Sequence, residues 1–223
     1  MSSSNIRSFS LAAMQGLNHQ IYCIQNDRNY SASKMVSRIH RYTTRILKAV
    51  RKNKTEGFDY YLAMAFSWSM ALGNRLHINI DEELWTRFPG VCPYCTSPVC
   101  SCKERAAERT EVKPAINRPT TLQGYQEMFS RIYSHNTLQD AAMHLAEEIG
   151  EVDEAIEHYS GTHDPQLFKE ITVELVDAVT NMFAVATALK INLAVEIESN
   201  FSGGCPKCNC RPCQCGYVVV KTM

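Results

Sequence analysis

The sequence has no long uninterrupted apolar run. Its longest apolar stretch, residues 62–72, is broken by Ser67 and Ser69 and is too short to cross a bilayer. Residues 1–20 lack the apolar core of a signal peptide. We therefore expect a cytoplasmic protein that does not act at a membrane.

The sequence also lacks a net charge, because 23 Lys and Arg balance 23 Asp and Glu over its 223 residues. This balance hides an asymmetry between the two halves. Residues 1–118 carry 17 basic and 9 acidic side chains, a net of +8, whereas residues 119–223 carry 6 and 14, a net of −8. Halves of opposite charge should attract each other, and each half is expected to have its own role.

An internal repeat relates the two halves. Residues 76–95 (LHINIDEELWTRFPGVCPYC) and residues 189–208 (LKINLAVEIESNFSGGCPKC) are identical at nine of twenty positions, at an offset of 113. Upstream, residues 14–16 (MQG) pair with residues 122–124 (LQG) at an offset of 108. A repeat of this kind predicts that the two halves have the same fold.

The repeat predicts two tandem domains, residues 1–102 and residues 122–223, joined by a charged linker over residues 103–121 that contains two prolines. Apolar residues recur at the 3.6-residue period of amphipathic helices, and a strand pattern is confined to residues 217–220. We therefore expect an all-α fold. The predicted helices span residues 122–135, 138–159, 165–190 and 193–201, with a turn at 160–165, and their counterparts lie near 10–28, 33–52, 58–73 and 81–88.

Two of the predicted helices carry pairs of acids three residues apart, so each pair lies on one helix face. Glu148 and Glu151 form one pair, and Glu174 and Asp177 form the other. The second pair lies in an apolar run, where carboxylates are costly to bury unless a positive charge compensates them. Four carboxylates from two facing helices would suit Mg²⁺ or Mn²⁺, and the alternative is a solvated acidic face.

The segments LAEEIGEVDEAI and ELVDA resemble the E-E-x-x-E and E-x-x-D signature of the MazG-like all-α nucleoside triphosphate pyrophosphohydrolases, the superfamily that includes dimeric dUTPases and dCTPases. The resemblance covers about residues 122–201. It implies Mg²⁺-dependent hydrolysis of a (d)NTP or related nucleotide to the monophosphate and pyrophosphate. It further implies that the catalytic residues are four metal ligands and a supporting acid: Glu148, Glu151, Glu174 and Asp177, with Glu147.

The first half departs from this signature because it lacks every one of these acids. The equivalent positions hold Arg41, Tyr42, Arg45, Tyr61 and Met64. Since members of the resembled family act as dimers or larger assemblies, we expect two MazG-like helical bundles packed as a pseudo-dimer, with the first copy degenerate, and a homo-oligomer of such chains. Arg41 and Arg45 are candidates for binding the substrate's triphosphate, and salt bridges to the acidic half are the alternative.

Two further residues of the second half are candidates for binding the nucleotide. Asn181 lies one helical turn beyond Asp177 and is placed to face the same site. Lys169 is a candidate for holding a phosphate, and Lys190 and Arg131 are the alternatives among the cations of the second half.

Cysteine is abundant, and nine of the ten cysteines lie in two clusters, which in a reducing compartment indicates metal ligands. Both clusters share the spacing Cys-x2-Cys-x4-Cys-x-Cys, which predicts a structural Zn²⁺ site at the end of each half. Iron–sulfur clusters, redox thiols and a Zn²⁺ ion shared between the halves are the alternatives. The predicted ligands are Cys92, Cys95, Cys100 and Cys102, and Cys205, Cys208, Cys213 and Cys215.

Two cysteines stand apart from these quartets. Cys210 is an addition to the second cluster, and the isolated Cys23 is expected to be a buried apolar residue. The second cluster has only Lys207 and Arg211 as basic neighbours, which argues against nucleic acid as a partner. The sequence thus predicts a nucleotide pyrophosphohydrolase, with a non-catalytic zinc-binding interaction module on a MazG-like scaffold as the alternative.

Overall fold

A computed structural model describes residues 9–54, 57–102 and 112–216, and in these residues the chain forms eight α-helices and no β-strand. The predicted all-α class is therefore confirmed for the described residues. Four helices precede residue 103 and four follow residue 121, in the same order. They are α1 (Leu11–Asn29), α2 (Ala32–Arg51), α3 (Phe58–Leu76), α4 (Ile80–Arg87), α5 (Leu122–Ile132), α6 (Leu138–Thr162), α7 (Pro165–Ala188) and α8 (Leu193–Phe201).

The first two helices of each half begin with the same kind of hydrogen bond. A hydroxyl side chain at the N-cap accepts the backbone N–H three residues later, which satisfies one of the donors that a helix leaves free at its start. The caps are Ser10 and Thr121 for α1 and α5, and Ser31 and Thr137 for α2 and α6. Asn79 and Asn192 do the same for α4 and α8.

A glutamine of α1 and a glutamine of α5 correct one part of the sequence alignment. Gln15 donates to the carbonyl of Ile78 at 2.7 Å and accepts the N–H of Ile80 at 3.2 Å. Gln126 makes the same two bonds, to Ile191 at 2.7 Å and from Leu193 at 3.0 Å. The first helices therefore align at an offset of 111, and the predicted offset of 108 was wrong.

We expect Gln15→Ala and Gln126→Ala each to lower the free energy of unfolding by about 1–3 kcal/mol, because each leaves buried backbone groups without their partner. Gln123→Ala is the matched control, since Gln123 is bonded only to the exposed Glu127 side chain in this region. Urea unfolding measures the effect. Equal losses in all three variants would contradict the alignment at 111.

The two halves pack through equivalent helices. α2 lies against α6 and α3 against α7, while α4 contacts α7 and α8 contacts α3. The buried side chains form one continuous apolar core across this contact, in which the ring of Phe66 meets that of Phe183 edge-on at 5.6 Å. Apolar burial of this kind is the main stabilising term, so the halves are held by more than opposite charge.

The cysteine-rich end of each half contacts the first helix of the other half. The N–H of Cys100 donates to the carbonyl of Ile132, and the N–H of Cys213 donates to that of Ile21, both at 2.7 Å. Ile132 is the last residue of α5, and Ile21 lies in the middle of α1. Consequently, each half completes one side of a cleft on the other.

Among the described residues, the long apolar helix is α7, not the stretch of residues 62–72. By length and composition α7 could cross a bilayer, and it is the one helix of the described residues that could. Most of its apolar window is buried against other helices, as in the core helix of a soluble protein. The apolar character of α7 therefore follows from its central position.

Other sequence predictions differ from the structure in detail. α6 continues to Thr162, so the predicted turn at 160–165 is reduced to His163 and Asp164. Cys23 is partly exposed rather than buried. Of the predicted linker, residues 112–121 are described, and Arg118 there pairs with Asp81 at 3.0 Å. The predicted strand at 217–220 lies outside the described residues.

Candidate metal centres and active site

Three of the predicted metal ligands lie together on two neighbouring helices. Glu148 and Glu151 project from α6 and Glu174 projects from α7, and one carboxylate oxygen of each lies within 4.8 Å of the others. The two helices are joined by only two residues, so they run antiparallel and their acidic faces meet. Glu148 is buried, with 6% of its surface exposed.

The carboxylates of this cluster repel one another. Burial, reinforced by the negative charges of Asp177 and Glu151, raises the pKa of Glu174 to about 7. A divalent cation would relieve this cost, because an opposite charge favours the ionised carboxylates. Hard oxygen donors in this number fit Mg²⁺ or Mn²⁺, which take one to a few carboxylates and keep water or phosphate as their other ligands.

The fourth predicted ligand, Asp177, is placed differently. Its two oxygens accept hydrogen bonds from Nε and Nη2 of Arg87, both at 2.6 Å. Both side chains are largely buried, with 7% of Arg87 and 13% of Asp177 exposed. Such a two-bond guanidinium–carboxylate pair is among the stronger polar contacts in proteins. The structure therefore groups three of the four predicted ligands and pairs the fourth with a cation.

Sequence analysis missed Arg87, which lies in α4 of the first half and reaches the site of the second. A cation in the last turn of a helix is common because it interacts favourably with the helix dipole, so Arg87 does not stand out in the sequence as a site residue. One signal was present in the repeat. The positions equivalent to Arg87 and Asp177 in the other half hold Asn200 and Met64, so both members of the pair change together.

A cleft of about 230 Å³ opens beside the carboxylates and is lined by both halves. The second half contributes Glu148, Asp177 and Asn181 to its lining, and the first half contributes Tyr94 and three cysteines of the first cluster. The amide of Asn181 donates to the backbone carbonyl of Asp177 at 3.1 Å. Asn181 is thus where the sequence places it, at the wall of the cleft.

The remaining predicted site residues do not line this cleft. Glu147 is exposed and bonds to Nδ1 of His144 at 3.0 Å, whereas His144 itself lies at the cleft. Lys169 is exposed on α7. Arg41 and Arg45 are exposed on α2.

In the first half a stack of side chains takes the place of the carboxylates. The guanidinium of Arg45 lies over the rings of Tyr42 at 5.8 Å and Tyr61 at 5.4 Å. These three residues occupy the positions of Glu151, Glu148 and Glu174, respectively. A cation over aromatic faces is stabilising and has no oxygen anion to offer a metal.

The two cysteine quartets are brought together as the spacing predicts. In each quartet, Cys92 to Cys102 and Cys205 to Cys215, the four sulfur atoms lie within 4.8 Å of one another. The sulfurs of Cys92 and Cys102 are 3.8 Å apart, as are those of Cys205 and Cys215. Four Zn–S bonds of about 2.3 Å at tetrahedral angles place sulfurs about 3.8 Å apart, so both quartets fit one Zn²⁺ ion.

Each quartet is supplied by one half alone, so the alternative of an ion shared between the halves was wrong. Cys210 is outside the second quartet, and its thiol donates to the carbonyl of Cys208 at 3.1 Å.

Hydrogen bonds from the backbone prepare one thiol of each quartet for metal binding. Burial tends to raise the pKa of Cys95, but bonds from the backbone of Ser101 and Ser97 outweigh it and lower the pKa to about 6. Backbone bonds, led by that of Gln214, likewise lower the pKa of Cys208 to about 6. Because the thiolate is the form that binds metal, these bonds favour a bound ion at neutral pH.

We expect the purified chain to contain about two zinc ions, one per quartet. Cys92→Ser should remove one of them and lower the melting temperature, because thiolate ligation couples the metal to folding. Cys210→Ser is the matched control and should keep both ions. Elemental analysis by plasma mass spectrometry gives the counts. Iron in place of zinc, or no metal with freely alkylated thiols, would contradict the assignment.

No protein-family model, no curated protein and no solved structure matches this chain.

Proposed function

We propose that the chain is a metal-dependent nucleotide pyrophosphohydrolase whose active site lies in the second half. The observation that carries this proposal is the carboxylate cluster of Glu148, Glu151 and Glu174 at the edge of a cleft. A nucleoside triphosphate is the substrate class that suits it, because clustered carboxylates with a divalent ion recognise polyphosphates. The products would be the monophosphate and pyrophosphate.

The residues of the site have distinct roles in this proposal. Glu148, Glu151 and Glu174 hold a Mg²⁺ or Mn²⁺ ion, which supplies charge neutralisation of the phosphates and activation of water. Asn181 and His144 present hydrogen-bonding groups to the substrate from the wall of the cleft. Arg87 holds Asp177 in place and brings a positive charge to the site.

The first half serves as the built-in partner of the second in this proposal. α4 of the first half contributes Arg87, and the first cysteine cluster closes one side of the cleft. Two MazG-like bundles packed as a pseudo-dimer would produce this arrangement, since each half completes a cleft on the other. We further propose that the protein is cytoplasmic and forms a homo-oligomer of such chains, as expected from the sequence.

A second function has one observation in its favour. Arg87 already neutralises Asp177, as it would in a purely structural contact between the halves. In that case the chain would be a zinc-binding interaction module that uses its acidic helix to bind a basic protein partner.

Pyrophosphate release from a panel of dNTPs and NTPs distinguishes the two functions. The enzyme should release pyrophosphate and the matching monophosphate from at least one nucleotide when Mg²⁺ is present, and none when Mg²⁺ is withheld. Chromatography of the products separates cleavage between the α and β phosphates from loss of the terminal phosphate. No turnover across the panel would favour the interaction module.

A further inference from the structure

The first half contains a pocket at the position equivalent to the catalytic cleft. It has a volume of about 520 Å³, more than twice the 230 Å³ of the cleft in the second half. Tyr22, Tyr42 and Trp68 line the pocket, where Tyr133, Glu148 and Asn181 line the cleft. The second cysteine cluster borders it as the first borders the cleft. The fold has thus kept the cavity while replacing its chemistry.

Aromatic rings form the walls of the pocket. The ring of Tyr30 meets that of Trp68 edge-on at 5.0 Å, and the ring of Tyr42 meets that of Tyr60 at 6.3 Å. All four of these residues line the pocket. Flat aromatic walls with a few polar groups are typical of sites for small ligands, and they stack well on a nucleobase.

Asn18, one of the residues that line the pocket, carries a buried hydrogen-bond acceptor. The amide nitrogen of Asn18 donates to the carbonyl of Ser67 at 2.8 Å, and this bond fixes which way the amide points. Only 1% of the Asn18 surface is exposed. The amide oxygen is buried and accepts no hydrogen bond from the described residues. Leaving such an acceptor unpaired costs free energy, so a donor from a ligand would bind well there.

The same position explains the larger volume. At the offset of 111, Asn18 corresponds to Phe129, whose ring stacks on Phe183 at 5.6 Å and fills the core beside the cleft. Asparagine is smaller than phenylalanine and is polar, so the first half gains both space and an acceptor.

A basic groove continues from the pocket. Gln25, Tyr30 and Cys215 line both, so the two cavities are contiguous. The groove carries Lys34, Arg38 and Arg41 of α2, and the described residues that line the pocket and the groove include no Asp or Glu. Arg38 also bonds to the hydroxyl of Tyr30 at 3.4 Å, which places its charge at the junction.

We propose that the first half binds a nucleoside phosphate without a metal ion and without hydrolysing it. The base lies between the aromatic walls and donates an N–H to Asn18, and the phosphates lie in the groove against Lys34, Arg38 and Arg41. The described lining of the groove offers the phosphates three cations and no carboxylate that would hold a metal ion. This site goes beyond the proposed activity and does not depend on it.

Calorimetric titration of the full-length Glu151→Gln chain in Mg²⁺-free buffer tests the proposal. A panel of ATP, GTP, CTP, UTP and their deoxy forms should include a nucleotide that binds saturably, at about one per chain. Inorganic triphosphate is the comparison ligand and should bind at least tenfold more weakly than that nucleotide, because it cannot occupy the aromatic pocket. In the same buffer, the wild-type chain should bind that nucleotide with the same affinity as the Glu151→Gln chain.

Variants locate the site. The double variant Arg38→Gln/Arg41→Gln should raise the Kd of the nucleoside triphosphate at least tenfold. Arg51 is an exposed arginine farther along α2, and Arg51→Gln should leave this Kd unchanged. Trp68→Ala should weaken the binding of the nucleotide but not that of inorganic triphosphate. If Trp68→Ala does not fold, Tyr60→Leu, which changes an exposed ring of the pocket, tests the same difference.

Three results would overturn the proposal. They are the absence of saturable binding across the panel, equal affinity for inorganic triphosphate, and affinities that the Arg38 and Arg41 changes leave intact. Pyrophosphate release by the wild-type chain with Mg²⁺ is measured separately, so failure here is distinguishable from failure of the catalytic proposal.

Discussion

Glu151→Gln should lower pyrophosphate release by at least about a hundredfold, since loss of even an outer-shell partner of a metal costs about 10- to 100-fold. The substitution removes one anionic ligand from the cluster and keeps the size of the side chain. It also removes a negative charge that raises the pKa of Glu174, so the folded state loses repulsion. The melting temperature should therefore stay the same or rise while turnover falls.

Glu154→Gln is the matched control. Glu154 lies one turn farther along α6, is exposed, and approaches only the side chain of His158, at 3.9 Å, among the described residues. This variant should turn over at the wild-type rate. Full activity in Glu151→Gln, or equal losses in both variants, would remove the carboxylate cluster from the mechanism.

Arg87→Asn should lower the free energy of unfolding by about 3–5 kcal/mol, because it leaves the largely buried Asp177 without its cation. For a chain of this size the melting temperature should fall by about 6–20 °C. Asparagine is chosen because Asn200 occupies the equivalent position in the second half. Differential scanning calorimetry on the zinc-loaded protein measures the change.

The double variant Arg87→Asn/Asp177→Met separates the ion pair from other effects at these positions. It places at these two positions the residues found at the equivalent positions of the other half, Asn200 and Met64. Because the double variant leaves no uncompensated buried charge, it should regain most of the lost stability. A loss in the double variant as large as the two single losses added together would show that the two residues do not act as a pair.

The sequence was sufficient to predict the helices and the repeat, because both are encoded locally. Apolar periodicity determines which segments are amphipathic, and N-cap residues such as Thr137 mark where helices begin. The cysteine spacing was sufficient for the two quartets, since four thiols within eleven residues are close enough along the chain to bind one ion. The carboxylates met because three-residue spacing places them on one helix face.

The contacts between halves could not be predicted in this way. Arg87 and Asp177 are ninety residues apart, and helical periodicity says nothing about which cation of one half reaches which acid of the other. The misalignment of the first helices has a similar cause. The MQG and LQG match was local, whereas the hydrogen bonds of Gln15 to the turn before α4 are long-range and decide the alignment.

The pocket of the first half was hidden for a related reason. A cavity depends on the volumes of side chains that face one another from several helices. The exchange of Phe129 for Asn18 has that effect only because both lie against the third helix of their own half.

Titration of Mn²⁺ into the zinc-loaded chain, followed by electron paramagnetic resonance of the free ion, tests the central claim most directly. The wild-type chain should bind Mn²⁺ at one class of site in the second half, and Arg45→Gln, at the position equivalent to Glu151, should bind it equally well. Glu174→Gln should lose at least tenfold in affinity. An absence of saturable Mn²⁺ binding, or equal binding by Glu174→Gln, would contradict a carboxylate metal centre in this protein.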